Sequence, residues 1–151
     1  MTEGWDRPSP FVLALTPAAG HIDGLGHTNN AVYVQWCEQA GWAHSEALGL
    51  SLADYRRLDR AMAIREGHYD YLLPSFEGEA LQLGTWLTAS DGRLTMERRF
   101  QLRRVSDGAT LVRGRWLLVC IEINSGRPKR MPAEFLQVYE AAVVTGPGQL
   151  G

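Results

Sequence analysis

Between Pro17 and Asn30 the chain sets Gly20, Gly24 and Gly26 among His21, Asp23, His27, Asn29 and Asn30, a density of turn formers and polar groups that no regular element keeps. An apolar periodicity of three and four residues begins directly afterwards, so this loop runs into the start of a helix. A carboxylate placed there faces unpaired backbone N–H groups and the positive end of the helix dipole. Such a place suits an oxyanion. With an acyl carbonyl beside Asp23, an amide near Asn30 can donate to the oxygen as it becomes negative. Asp23 then either attacks the carbonyl to give a mixed anhydride or removes a proton from an attacking water. The sequence leaves both routes open, and the pair Asp23-Gly24 taken alone reads simply as a turn.

The other polar groups carry two readings each. His27 either orients the loop by hydrogen bonding or touches a substrate. Asn29 and Asn30 read as helix caps by side chain, so any catalytic share at Asn30 belongs to its backbone. Arg127, Lys129 and Arg130 form the one compact basic cluster, a solvated loop or a contact for phosphates. His68 inside a strand reads as a satisfied, half-buried side chain. The four histidines and two cysteines show no metal-ligand spacing such as His-Glu-x-x-His or Cys-x-x-Cys, so neither metal nor cofactor is expected. A Gly-x-Ser-x-Gly elbow is absent, which removes the serine route to acyl transfer.

These residues need a scaffold, and the pattern supplies one. Residues 11 to 15 read as a first strand, ended by Thr16-Pro17. From Ala31 to Leu48, Tyr33, Trp36, Cys37, Ala40, Ala43, Ala47 and Leu48 mark one face of a helix of about five turns, closed by Gly49. Ser51 and Asp54 suggest a short capped turn of helix. After Asp59 the period becomes two: Met62, Ile64, Glu66, His68 and Asp70 alternate with Ala63, Arg65, Gly67, Tyr69 and Tyr71 until Pro74. Two further strands follow, residues 80 to 89 and 94 to 103, separated by the turn pair Asp91-Gly92 and ended by Asp107-Gly108. The last strand, Thr110 to Ile123, is the most apolar and is expected at the centre of the sheet. Residues 132 to 142 read as a short C-terminal helix, and the Gly/Pro tail after Thr145 as loose. Three hairpin-linked strands force an antiparallel sheet, against which the long helix must pack, so the fold class is α+β. One domain over residues 1–151, with a core at about 10–142, is expected.

With the helix in place, Asp23, Gly26, His27, Asn29, Asn30, Tyr33, Trp36 and Glu38 together resemble the signature of hotdog-fold thioesterases of the 4-hydroxybenzoyl-CoA type. Tyr69 to Pro74, Gly78-Glu79, Thr85-Trp86 and Ser125 to Pro128 continue the likeness, which covers roughly residues 10 to 135. Position 79 departs from the pattern, being Glu where Asp is more usual. The resemblance implies a sheet wrapped around one long central helix, Asp23 as the catalytic carboxylate, the Asn30 amide as oxyanion donor, and a site built from two subunits. His27 is then expected as a further catalytic residue and Tyr33 and Glu38 as contacts to substrate, while the basic cluster of Arg127, Lys129 and Arg130 is read as a contact for coenzyme A phosphates; Glu38 is otherwise a solvated helix residue. A thiolate leaving group has a pKa near 8.5, so a dedicated general acid is hardly needed.

The expected function is therefore acyl-CoA hydrolysis without cofactor. A carrier-protein thioesterase using the same residues and a non-catalytic acyl-CoA-binding module are the alternatives. The dehydratases of this fold are set aside because their His-Phe-Pro segment is missing. A homodimer or dimer of dimers is expected, because a sheet wrapped on one helix leaves an open edge. Fifteen basic against seventeen acidic residues give a net charge of −2, which advertises no surface for nucleic acid. Two unpaired cysteines inside apolar segments, with neither a basic-then-apolar leader nor an apolar run of membrane-spanning length, point to the cytoplasm and away from membranes.

Overall fold

The computed structural model describes residues 4–146; the tail from 147 onward, expected to be loose, lies outside them. In chain order the elements are β1 (Phe11–Leu15), a 3₁₀ turn (Ala19–His21), α1 (Asn30–Leu48), α2 (Leu52–Leu58), β2 (Arg60–Tyr71), β3 (Leu81–Ser90), β4 (Thr95–Arg104), β5 (Thr110–Glu122) and α3 (Ala133–Phe135), which runs on as a π-helical turn over Leu136–Glu140. All strand pairs are antiparallel, in the order β1-β3-β4-β5-β2.

Both ends of α1 are closed by local chemistry. Asn29 is its N-cap, with Oδ1 accepting from Ala31 N at 3.0 Å, and Gly49 ends it at φ 109°, a left-handed conformation that favours glycine. Tyr33, Cys37, Gly41 and Ser45, spaced by four, form one buried stripe of the helix. Facing them are inward residues of the sheet, Met96, Phe100 and Leu102 of β4 and Trp116, Leu118 and Cys120 of β5, all 5 % exposed or less. Gly41 has a close-packing role: a Cβ there would come within 3.2 Å of the Trp116 ring. Ser51 and Asp54 form the expected capping box of α2, Ser51 N donating to Asp54 Oδ2 and Asp54 N to Ser51 Oγ.

Two expectations about the sheet are corrected. The central strand is β4, and β5 lies one place outward, between β4 and β2. β5 is apolar because it has a strand on each side and packs its inner face beneath α1, a condition that an off-centre interior strand meets as well as a central one. The strict alternation across β2 also fails. Its register against β5 shifts between Ile64 and Glu66, a bulge that changes which parity of residue points inward. Met62 and Ile64 face the helix before the bulge; Tyr69 faces inward after it, its hydroxyl accepting from Trp116 Nε1 at 2.8 Å.

The outer face of the sheet is partly covered by the segment before β1. Trp5 packs over Gly84, where a Cβ would fall 2.5 Å from its ring. Trp86 Nε1 donates to Pro8 O at 2.8 Å, and Arg113 grips Asp6 with two bonds of 2.7 and 2.9 Å. At the other end of the chain the widened helical turn directs Tyr139 into the core beside Phe135. Ser45 Oγ donates to Leu50 O at 2.7 Å, so its oxygen accepts from Tyr139 Oη at 2.7 Å, which in turn accepts from Tyr55 Oη.

Candidate active site

The loop before α1 is a tight hairpin. Ile22 bridges Thr28, Asp23 N donates to His27 O at 2.8 Å, and Gly26 N donates back to Asp23 O at 3.0 Å with φ 82°. Asp23 Oδ1 accepts from Leu25 N at 2.8 Å and His27 N at 3.2 Å, the short-range bonding that suits Asp to a turn. Oδ2 receives no hydrogen bond among the described residues, and the side chain is exposed. One oxygen is thus committed to the loop and the other is available to a ligand.

Because Asn29 is the cap, Asn30 is the first residue of α1, and its backbone N–H has no acceptor among the described residues. This resolves the choice of cap that the sequence left open. Asp23, His27, Asn30 and Tyr33 border one open cleft of about 390 Å³, walled opposite by Tyr71 and by 72–74. The carboxylate and the free amide of a 19-residue helix therefore face the same space, where the amide dipoles favour negative charge.

A small polar cluster fixes the loop. Thr28 N and Thr28 Oγ1 donate to Ser75 O at 2.9 and 3.2 Å, and Ser75 Oγ donates to Thr28 Oγ1 at 2.7 Å. The Tyr33 hydroxyl, 2.8 Å from Ser75 Oγ, must then be the donor of that pair. Tyr33 therefore offers its ring to the cleft while its hydroxyl secures the framework. The His27 ring makes no hydrogen bond among the described residues; it packs edge-on to Phe76 at 5.3 Å, while its backbone serves Asp23.

The remaining predicted residues lie elsewhere. Glu38 is exposed and borders a second, open cavity beside α1. Arg127 and Lys129 line a shallow surface pocket with Glu122, to which Lys129 Nζ is bonded at 2.9 Å. Arg130 is exposed and lends only its carbonyl, to Arg60 Nε at 3.3 Å. Among the described residues no cluster of three His, Cys, Asp or Glu side chains has the placement of a metal site. Both cysteines are buried free thiols, and burial first of all pushes Cys37 up to about 12 and Cys120 up to about 11.

Sequence reading missed Ser75, which is fully buried and 47 positions from Thr28, and it missed Arg98. The latter left a signal: in the β4 alternation it occupies the apolar row between Met96 and Phe100.

An antiparallel five-stranded sheet packed on one long helix, with a carboxylate loop at the helix start, is the hotdog fold. Residues 17–138 match the profile of the Thioesterase-like superfamily, and the chain belongs to that superfamily. No curated protein gives a significant match. Among solved structures, a hypothetical protein from Staphylococcus aureus in complex with CoA is similar with TM-score 0.82 and 21% identity, over 96% of this chain and 94% of that one. A 1,4-dihydroxy-2-naphthoyl-CoA thioesterase from Synechocystis aligns with TM-score 0.77 and 18% identity, over 89% of this chain and 96% of that one. A 12:0-ACP thioesterase from Umbellularia californica aligns with TM-score 0.81 and 17% identity, over 91% of this chain and 52% of that one.

Proposed function

We propose that this protein is an acyl-CoA thioesterase in which Asp23 is the catalytic carboxylate and the Asn30 amide stabilises the oxyanion. One observation carries the reading: a carboxylate oxygen and an amide, neither with a hydrogen-bond partner among the described residues, open into a single cleft at a helix N-terminus. The thioester carbonyl sits between them, its oxygen toward the amide. Asp23 either adds to the carbonyl carbon, expelling the thiolate and leaving a mixed anhydride that water opens, or takes the proton of a water that adds directly. In both routes the C–S bond breaks, the thiolate takes up a proton, and the acyl group leaves as a free acid.

Membership of the Thioesterase-like superfamily supports hydrolysis. A similar structure holding CoA and another named for an acyl-CoA substrate favour CoA over a carrier protein. The Umbellularia likeness supports the carrier-protein alternative. In this reading residues 1–151 work as one hotdog domain in the cytoplasm, with neither metal nor cofactor, as a dimer or a dimer of dimers. Tyr33 and His27 wall the reacting end, Glu38 lies along the acyl path, and Arg127, Lys129 and Arg130 reach the phosphates of CoA bound across a subunit boundary. No described helix is long and apolar enough to cross a membrane.

Thiol release from a panel of acyl-CoA and matched acyl-carrier-protein thioesters tests the proposal. Turnover of CoA thioesters with a higher kcat/KM than their carrier counterparts is expected. Tight acyl-CoA binding without thiol release would instead mark a binding module.

A further inference from the structure

The second cavity, about 130 Å³, is lined by Glu38, Gly41 and Ser45 of α1, Met62 and Ile64 of β2, and Arg98 of β4, with aromatic rings between them. Arg98 is 4 % exposed. Its Nη1 donates to His44 Nδ1 at 2.9 Å and to Thr85 Oγ1 at 3.1 Å; both partners are neutral. Nε and Nη2 make no hydrogen bond, and no carboxylate lies within ion-pair distance of the guanidinium, among the described residues. Glu38 shares the cavity without pairing to it. The other ionisable neighbours carry no compensating charge: burial pushes the Cys37 thiol and the Tyr55 and Tyr139 hydroxyls up, and burial followed by Arg98 itself pushes His44 down to about 4. Burial lowers Arg98 only to about 10, so it stays a cation at neutral pH.

An unpaired buried cation is costly, and removing an apolar-row arginine in favour of a hydrocarbon is the ordinary solution. Here the cation is retained, its free N–H groups beside a cavity. We infer that the cavity is the far end of the acyl pocket and that Arg98 binds a carboxylate at the distal end of the acyl group, so that the substrate is the half-thioester of a dicarboxylic acid.

Placement supports the link to the cleft. Tyr33, at the cleft, and Gly41, beside Arg98, belong to the same buried stripe of α1. Asn30 and Gly41 are eleven residues apart, or roughly 16 Å along the axis. A series of aromatic contacts runs from one to the other: Tyr33 of α1 meets Tyr71 of β2 with ring centres at 6.1 Å, Tyr71 stacks with Tyr69 at 6.3 Å, and the Tyr69 hydroxyl accepts from Trp116, which lines the cavity. An acyl chain along these rings meets apolar and aromatic surface until it reaches the guanidinium. Two parallel N–H bonds to a carboxylate are the geometry for which arginine is suited.

The inference rests on the thioesterase reading, and the test separates the two. The kcat/KM is compared for length-matched pairs, from hexanoyl-CoA against hexanedioyl-CoA to dodecanoyl-CoA against dodecanedioyl-CoA. At the best length the carboxylate-ended substrate is favoured by about tenfold or more, the low end of what a hydrogen bond to a buried charge contributes. In Arg98→Met that ratio falls to about one or below. A parent enzyme that favours the methyl-ended member at every length, or a ratio unmoved in Arg98→Met, overturns the inference while leaving hydrolysis standing. If no thioester is hydrolysed, the thioesterase reading fails by itself, and calorimetric binding of the matching non-hydrolysable thioethers decides: a tenfold preference lost in Arg98→Met supports the anion site, and equal binding overturns it. Should Arg98→Met not fold, Arg98→Lys, which keeps the charge, retains a preference for the carboxylate-ended member if the inference is right and shows none if it is wrong.

Discussion

His44 Nδ1 accepts a hydrogen bond from Arg98 Nη1 at 2.9 Å. A guanidinium is only a donor, so this nitrogen must stay unprotonated for the pair to exist. Burial, and then Arg98, lower the His44 pKa from its ordinary 6.5 to about 4. In the unfolded chain His44 takes a proton near 6.5, whereas folded it resists until about 4; between those values the unfolded state binds more protons. The stability this pair lends is therefore complete above 6.5 and declines as the pH falls toward 4. The midpoint of thermal unfolding is expected to drop over that window more steeply in the parent than in His44→Gln, whose amide oxygen can still accept from Arg98. Equal slopes for the two proteins would remove His44 as the cause.

Asp23→Asn separates chemistry from folding. The amide keeps an oxygen to receive Leu25 N and His27 N but lacks charge and basicity. Thiol release should fall by at least about a hundredfold, the low end for a positioned base. The loss of helix-end interaction is at most about 1 kcal/mol, or a few degrees in the melting point. Hydrolysis near the parental rate would withdraw Asp23 from the mechanism and make Glu38 the next carboxylate to replace.

Tyr33→Phe removes the proton that Ser75 Oγ receives inside a fully buried cluster. A loss of about 1 kcal/mol is expected, seen as a melting point lower by roughly 2–4 °C. Since the cluster anchors Thr28, and with it the Asp23 hairpin, kcat should fall more than KM rises. An unchanged kcat would mean that the hairpin holds its position without this bond.

Among the described residues β2 is an edge strand, paired only to β5, and Ile64, Tyr71, Leu72 and Leu73 on and beyond it are more than 40 % exposed. Such an edge favours pairing with a second copy. Light scattering at micromolar concentration should give two or four times the chain mass of 16.8 kDa, and Ile64→Lys should shift the population toward one chain. A parent protein of single-chain mass would contradict the dimeric site.

Local order was readable from residue pattern. The end of α1 followed from Gly49 and the Asp23 loop from its turn formers, whereas the start of α1 lies one residue before Ala31 because Asn29, and not Asn30, is the cap. The Asp91-Gly92 turn proved longer than a two-residue hairpin, because Asp91 Oδ1 gathers the amides of Arg93, Leu94 and Thr95. Long-range relations were less legible. Strand order depends on partners that no periodicity names, so the apolar β5 was expected at the centre that β4 occupies. Ser75 sits in a Pro-Ser-Phe stretch without a pattern of its own, and its importance arises only when folding brings Thr28 and Tyr33 to it. Arg98 was visible as a break in an apolar row, yet its meaning needed the cavity beside it.

The extra residue in β2 acts as a gear between two halves of one strand. Ahead of it the strand walls the cavity with Met62 and Ile64; behind it the same strand walls the cleft with Tyr71. Side chains alternate with period two, so pairing the same residues without the bulge would turn every residue after Arg65 over. Tyr69 and Tyr71 would swing to the outer face while Glu66, His68 and Asp70 turned toward the helix. The unpaired Arg65 thus keeps an aromatic wall, rather than an acidic one, beside the cleft, without touching any residue of the Asp23 hairpin.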